Sequence, residues 1–257
     1  MSDPIRLLRS PLTDSEPALD IAVAHALVKQ ASAGSLTEAL RLYRPSSPVV
    51  VFGRRDVRLD GFPGAVDAVR AAGFTPLVRA TGGRAVAYTD QSLVLDHVRH
   101  DAGAQGGMDP RFETYGRLFA EAFRGLGVQA LVGPVPGEYC PGAHSVNARG
   151  VVKLVGTAQR VVRHAWLFSS LVVIGDQDRI RPVLSEVYEQ LGQDFDGSSV
   201  GSLRGEVPGL ELTQVESALL AAYAELGVLE PAVLDESTLV LARELVDQHR
   251  VGDQTRS

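Results

Sequence analysis

The chain has 257 residues, of which 45% are hydrophobic and 22% charged, and its formal net charge is −6. This composition is typical of a globular protein with a sizeable core, and the acidic balance argues against nucleic-acid binding through bulk charge. Cys140 is the one cysteine, so the chain can form no intramolecular disulfide. With no signal-like or membrane-spanning stretch, these features predict a cytoplasmic protein.

The first hundred residues predict helices that alternate with short strands. Residues 1–17 show no regular pattern, and apolar residues at helical spacing then predict a helix over 18–33. A Pro-Ser-Ser-Pro turn divides residues 39–52 into two strands, and residues 64–72 are predicted to form a helix that ends at Gly73. Further strands are predicted over 74–79, 84–86 and 91–98.

The second part of the chain predicts one long helix, a loop, two strands and a helical tail. Residues 102–108 are glycine-rich, and residues 111–126 form a strongly amphipathic helix. Strands are predicted over 147–154 and 157–174, helices over 178–191, 212–226 and 237–249, and disorder over 252–257. No shift in composition marks a domain boundary, so residues 1–257 are predicted to be a single domain with a helical C-terminal part.

A glycine-rich segment, Arg-Ala-Thr-Gly-Gly-Arg-Ala-Val over residues 79–86, lies between two predicted strands. The adjacent Gly82 and Gly83 permit positive φ and let a ligand approach the backbone, whose N–H groups could hold a carbonyl or a phosphate. A plain hairpin turn is the alternative, and turn chemistry alone favours it. Both interpretations stay open on the residues alone.

Cys140 lies in a Pro/Gly-rich loop, Glu138-Tyr139-Cys140-Pro141-Gly142, where a ligand can reach it. A cysteine acts as a nucleophile through its thiolate, so this use requires a neighbour that favours the ionised form. The alternative is a loop cysteine without a task. His144 follows on the same loop and is either a base or an exposed loop residue.

A lysine stands in an apolar strand in the segment Lys153-Leu154-Val155-Gly156-Thr157-Ala158-Gln159-Arg160. A buried ammonium facing a pocket can polarise an acyl carbonyl and favour a thiolate, and the small Gly156 and Ala158 leave room for a chain. A lysine at a sheet edge that reaches solvent is the alternative.

The six histidines do not show the spacing of metal ligands, so no metal site is predicted. Arg54 and Arg55, after Gly53, either contact an acidic partner or are solvated.

Together these segments resemble the biotin/lipoate protein ligase superfamily. Residues 79–86 are similar to its Arg-x-x-Gly-Gly substrate loop, and residues 153–160 are similar to its Lys-x-x-Gly-x-Ala-Gln-Arg segment. The cysteine upstream of the lysine is similar to that of Gram-positive-type octanoyltransferases and lipoyl amidotransferases. The resemblance implies an α/β fold of mixed, mostly antiparallel sheets flanked by helices, the biotin/lipoate ligase-like catalytic domain.

The resemblance also implies a function: transfer of an octanoyl or lipoyl group, through a thioester on Cys140, to a lysine of a lipoyl-domain protein. Lys153 is expected to stabilise the thiolate and then the oxyanion, with no cofactor. The expected partners are an acyl-carrying donor protein and an apo lipoyl domain, such as the glycine cleavage H protein or a 2-oxoacid dehydrogenase subunit, and the chain is expected to be a monomer. The implied catalytic residues are Cys140 and Lys153, and the implied substrate-binding residues are Arg79, Thr81, Gly82, Gly83, Ala85, His144, Gly156, Thr157 and Ala158.

The chain departs from the ligase pattern at three points. Arg84 stands where ligases commonly carry a third glycine, a His-Asp pair is replaced near Tyr88, and a His-His-Gly segment expected near residues 164–169 is missing. These departures disfavour, but leave open, an ATP-dependent lipoate or octanoate ligase that forms an acyl-adenylate. A non-catalytic lipoyl-binding module is the second alternative.

Overall fold

The structure is a computed structural model that describes residues 3–9 and 16–252. Its strands are β1 Ile5–Leu8, β2 Glu38–Tyr43, β3 Val49–Phe52, β4 Thr75–Val78, β5 Val86–Tyr88, β6 Ser92–His100, β7 Ala130–Val132, β8 Val146–Ala148, β9 Val152–Val162, β10 Ala165–Val173 and β11 Leu229–Ala232. Its helices are α1 Pro17–Ala33, α2 Phe62–Ala71, α3 Met108–Gly125, α4 Gln177–Gln190, α5 Leu203–Glu206, α6 Leu212–Ala224 and α7 Glu236–Leu245.

The strands form two mixed sheets, which confirms the predicted fold class. The larger has the order β11-β1-β2-β6-β10-β9-β8-β7, and its strands are antiparallel except where β1 pairs with β2 and β11. The smaller has the order β4-β3-β5, with β3 parallel to β4 and antiparallel to β5. Because β11 comes from the C-terminal tail, its pairing with β1 supports the proposal that the tail belongs to the same domain.

Apolar cores cover both faces of the large sheet. Since successive strand residues point to opposite faces, Val94 and Val98 of β6 lie in one core and Leu93 and Leu95 in the other. The first core also contains α1, α2, α4 and the small sheet, whereas the second contains α3 and α6. The site described below lies between the small sheet and the far half of the large one.

Three sequence predictions about the strands are wrong. The strand predicted over 147–154 is divided, because a turn at 149–151 separates β8 from β9. The break expected between residues 154 and 157 does not exist, because β9 runs unbroken from Val152 to Val162 and the chain turns at Arg163 and His164. His164 takes the left-handed φ of 62° that this tight turn needs. Residues 1–17, expected to be irregular, contain β1, while 1–2 and 10–15 lie outside the described residues. Disorder is predicted over 252–257, and all of these residues except 252 lie outside the described residues.

The described part of the chain contains no helix that is long and apolar enough to cross a membrane.

Candidate active site

The half-buried thiol of Cys140 is the centre of the site, in the loop between β7 and β8. The backbone N–H of Arg84 donates to its Sγ at 3.2 Å, and Nη2 of Arg79 lies 3.7 Å from the same sulfur. Both groups direct an N–H at the sulfur. Cys140 also takes a φ of 42°, a conformation that costs a residue with a Cβ about 1 kcal/mol or more.

Arg79 is the cation beside this sulfur, and it is buried, with 8% of its surface exposed. Its Nη2 donates to the carbonyl of Arg84 at 2.8 Å, which ties the guanidinium to the turn of the glycine loop. Burial opposes the charge, but the neighbouring Cys140 and Tyr88 raise the pKa of the guanidinium above its usual value. Arg79 therefore keeps a positive charge next to the thiol at every physiological pH.

The glycine loop is not a hairpin turn, because β4 and β5 do not pair with each other but lie on either side of β3. It crosses from one edge of the small sheet to the other and passes the sulfur at Gly83, whose φ is 98°. A Cβ at Gly83 would lie 2.7 Å from Cys140 Sγ and 2.5 Å from Arg79 Nη2. Glycine is thus required here for conformation and for contact distance.

Strand β9 holds this loop against the large sheet, and so the two motifs of the sequence meet in space. The carbonyl of Gln159 accepts from the Gly82 N–H at 3.4 Å, and Nη1 of Arg160 donates to the carbonyl of Ala80 at 2.8 Å. The Gln159 side chain in turn accepts from Arg111 Nε at 2.9 Å. The Gln-Arg end of the lysine motif therefore serves the glycine loop rather than the sulfur.

Lys153 is buried, so the solvent-reaching alternative is wrong, and its ammonium points at the cysteine loop. Nζ donates to the carbonyl oxygens of Tyr139 and Cys140, each at 2.9 Å, and lies 2.9 Å from Oε2 of Glu138. The first two contacts are hydrogen bonds and the third is an ion pair. The sequence assigns Lys153 to the thiolate; in the structure Arg79 contacts the sulfur, and the contacts of Lys153 are with the loop backbone and Glu138.

Glu138 is a site residue that the sequence analysis missed. Its carboxylate is 2% exposed, pairs with Lys153, and accepts from the backbone N–H groups of Val135 and Gly142, both at 3.3 Å. The loop around Cys140 is thus wrapped around one buried ion pair. A signal existed, because a buried lysine needs a counter-charge and Glu138 stands two residues from the cysteine.

Tyr188 of α4 is a second missed residue, and nothing in the sequence around it marks it. Its hydroxyl accepts from the Cys140 N–H at 2.6 Å and donates to the carbonyl of Ala85 at 3.0 Å. A single phenol therefore joins the cysteine loop to the glycine loop. The predicted residue Ala85 contributes this carbonyl and is itself fully buried.

Gly156, Thr157 and Ala158, which the resemblance implies as substrate-binding residues, do not share a face. Gly156 and Ala158 point to one side of β9 and Thr157 to the other, because strand residues alternate. A Cβ at Gly156 would lie 3.6 Å from Cε of Lys153 and 3.8 Å from the ring of Tyr139. The side of β9 that carries Gly156 and Ala158 is therefore the side that faces the cysteine loop.

The remaining predicted residues lie around this centre. Thr81 is buried, and Gly82 is exposed. His144 is half-buried, with its ring stacked on Phe112 at a centroid distance of 5.8 Å, which gives it a packing partner.

Arg54 and Arg55 are exposed and follow Gly53. A Cβ at Gly53 would lie 1.9 Å from the carbonyl oxygen of Gly83. Within residues 3–9 and 16–252, no cluster of three His, Cys, Asp or Glu side chains forms a metal site.

Curated relatives are similar in sequence to most of the chain. The octanoyl-[GcvH]:protein N-octanoyltransferase of Geobacillus kaustophilus is 24% identical over 235 residues, which are 91% of this chain and 78% of that protein. The enzyme of the same name from Exiguobacterium sibiricum is 26% identical over 201 residues, which are 77% of this chain and 68% of the relative.

Solved structures share the fold. A lipoate-protein ligase A bound with ATP superposes with a TM-score of 0.73 at 21% identity, covering 96% of this chain and 95% of that one. The bipartite lipoate protein ligase of Thermoplasma acidophilum gives a TM-score of 0.69 at 22% identity, covering 95% and 92% of the two chains. A family model described as the lipoyl protein ligase A/B catalytic domain matches residues 16–224. The chain belongs to the lipoyl protein ligase A/B catalytic domain family.

Proposed function

We propose that this chain is an octanoyltransferase that carries the acyl group as a thioester on Cys140 and delivers it to a lysine of a lipoyl-domain protein. The observation that carries the proposal is the sulfur of Cys140, half-buried, with the Arg84 N–H and the Arg79 guanidinium directed at it. The curated relatives bear the name of octanoyltransferases that act from octanoyl-[GcvH]. A nucleophile of this kind matches such a transfer.

In the first step the Cys140 thiolate attacks the carbonyl carbon of the octanoyl amide on the donor lysine. The C–N bond breaks, the leaving amine takes up a proton from water, and the octanoyl group remains on Sγ as a thioester. Arg79 and the Arg84 N–H stabilise the thiolate before the attack. In this proposal the same two groups also donate to the oxygen that becomes negative during the attack.

In the second step the neutral ε-amine of the acceptor lysine attacks the thioester carbonyl. The C–S bond breaks, the amide forms, and the thiolate returns to its place beside Arg79 while the new amide nitrogen releases a proton to water. Since a thioester lies above an amide in free energy, this step runs downhill. The side of β9 that carries Gly156 and Ala158, next to the sulfur, is where we place the octanoyl chain.

Lys153 has a supporting role in this proposal. Its ammonium fixes the carbonyls of Tyr139 and Cys140, and so it sets the direction in which the loop presents the sulfur. The reaction needs no cofactor and no metal, and it needs a reduced thiol, so we include a cytoplasmic location in the proposal. We also propose that the chain acts as a monomer.

The direct test follows the acyl group. Incubation with an octanoylated H-protein-type lipoyl domain should add the mass of one octanoyl group to the enzyme, and an apo lipoyl domain should then remove it. Cys140→Ser should block transfer. Lys29→Met is the control, because Lys29 lies outside this site, and it should leave transfer intact. A chain that shows no adduct, and whose Cys140→Ala variant keeps full activity, would contradict the covalent route.

Two other activities predict different results in the same assay. An ATP-dependent ligase would modify the apo domain from free octanoate and ATP, and Cys140→Ala would keep that activity. A non-catalytic binding module would bind an octanoylated domain without turnover from any donor. A third donor, octanoyl thioester on an acyl carrier protein, shows whether the donor bond is an amide or a thioester.

A further inference from the structure

The C-terminal segment after α7 docks on the free edge of strand β4. Arg250 forms an antiparallel bridge with Leu77, and the backbone N–H of Val78 donates to the carbonyl of His249 at 2.9 Å. β4 is an edge strand of the small sheet, and this segment covers it. The covered residues stand directly before Arg79, the cation beside the sulfur.

The His249 side chain holds the peptide unit that precedes Arg79. Its Nδ1 lies 2.8 Å from the carbonyl oxygen of Val78, and the N–H of the same peptide unit, on Arg79, donates to the carbonyl of Phe52 at 3.0 Å. Both polar groups of that unit are therefore bound, one by the C-terminal segment and one by β3. Rotation of this peptide would swing the side chain of Arg79 away from the sulfur.

The proton positions in this arrangement follow from the partners. A carbonyl oxygen can only accept, so Nδ1 of His249 carries a proton. In neutral His249 the other nitrogen, Nε2, is then an acceptor, and it lies 3.1 Å from Nδ1 of His25 on α1. His25 must donate there.

Both rings are held in the neutral form. Burial, followed by His249, Arg160, Lys29 and Arg54, lowers the pKa of His25 to about 4. Burial also lowers the pKa of His249, although its bond to Val78 opposes the shift. The two rings meet edge to face, with centroids 5.3 Å apart. His25 therefore fixes the orientation of the His249 ring.

We propose that His249, held by His25, is a positioning residue that sets Arg79 beside the nucleophile, so that the C-terminal segment, far from the cysteine in sequence, controls the reactivity of Cys140. The role of His249 in catalysis rests on the proposed function, in which Cys140 is the nucleophile. Its geometry depends only on the contacts around Val78. It predicts an effect on the thiol itself, which is measurable without any acyl donor.

The experiment compares two substitutions of similar polarity in the full chain. The amide nitrogen of Asn reaches the place of Nδ1, whereas that of Gln reaches the place of Nε2. His249→Gln should slow alkylation of Cys140 by iodoacetamide at pH 7 by about three- to tenfold, and shift the midpoint of its pH profile upward. His249→Asn should stay close to the wild-type rate. In an Arg79→Ala background, His249→Gln should add nothing.

Thr238→Ala is the control for simple loosening of the tail. Thr238 of α7 donates to Gln30 of α1 at 2.9 Å and does not touch Val78, so this variant should lower the melting temperature without changing the alkylation profile. Two outcomes would overturn the proposal: wild-type alkylation in a folded His249→Gln variant, or an equal slowing with Arg79 absent. The wild-type enzyme could be alkylated at Cys140 as expected and yet transfer no octanoyl group. The proposed function would then fail, whereas the alkylation rates of the variants would still test the role of His249.

Discussion

Lys153 and Glu138 form an ion pair inside the protein, with Nζ and Oε2 2.9 Å apart and neither side chain more than 2% exposed. A lone charge left at this depth is strongly destabilising, so Lys153→Met should lower the free energy of unfolding by about 3–5 kcal/mol. The double variant Lys153→Met with Glu138→Gln removes both charges and should recover part of this loss. Urea unfolding measures both.

The same double variant separates a bracing lysine from a catalytic one. The double variant still lacks the donors to the carbonyls of Tyr139 and Cys140, so if Lys153 only holds the loop, alkylation of Cys140 and octanoyl transfer should stay reduced together. Recovery of alkylation without transfer would show instead that the ammonium acts on the acyl carbonyl. A Lys153→Met variant as stable as wild type would contradict the ion pair itself.

Gly83 should be the least replaceable residue of the glycine loop. Gly83→Ala would put a Cβ 2.7 Å from Cys140 Sγ at a φ of 98°, so the loop or the sulfur must move. Because a displacement of about 1 Å at reacting atoms can cost about 100-fold in rate, kcat/KM for octanoyl transfer should fall by that order. Alkylation of Cys140 should slow as well.

Gly82→Ala is the matched control for this effect. A Cβ at Gly82 would meet nothing nearer than the Gln159 carbonyl oxygen at 3.9 Å. Transfer should therefore stay within a few-fold of wild type. Equal losses in the two variants would mean that loop flexibility, rather than the approach of Gly83 to the sulfur, accounts for the glycines.

Tyr188 should matter to activity despite its distance in sequence. Tyr188→Phe leaves the N–H of Cys140 without its acceptor, and an unsatisfied buried donor costs about 1–3 kcal/mol. The melting temperature should drop, and transfer should fall more than it does in Tyr223→Phe, a buried tyrosine of the opposite core. Similar activity in the two variants would argue against a link between the cysteine and glycine loops.

The sequence predicts local elements well and the contacts of the site less well, for physical reasons. Apolar periodicity marks α3 because its face repeats over 18 residues, whereas β11 is four residues with a proline and carries no such signal. The motifs single out Cys140 and Lys153, but which cation reaches the sulfur depends on loop geometry that no local pattern encodes. Local pattern also does not tell whether β4 and β5 pair with each other or lie on either side of β3. For this reason the sequence alone leaves open whether the glycine loop is a hairpin turn.

Asp96 predicts a dependence of stability on pH. Burial raises the pKa of this carboxyl to about 6, against the opposing effects of Ser169 and Arg41. The folded state thus binds a proton between about pH 4 and pH 6 that the unfolded state has released, and stability attributable to Asp96 is lost as pH rises through this window. Asp96→Asn should therefore be more stable than wild type at pH 7, by up to about 3 kcal/mol.

The gain should fall to about 0.5 kcal/mol near pH 4, where wild-type Asp96 is protonated in the folded state and about half protonated in the unfolded state. Arg41 keeps its ion pair with Asp20, so the substitution leaves no uncompensated cation. Asp90→Asn, on an exposed carboxyl after β5, serves as the control and should show no such difference. Urea unfolding of the three proteins at pH 4 and pH 7 decides the point, and a destabilised Asp96→Asn at pH 7 would mean that the carboxylate is held ionised by its partners.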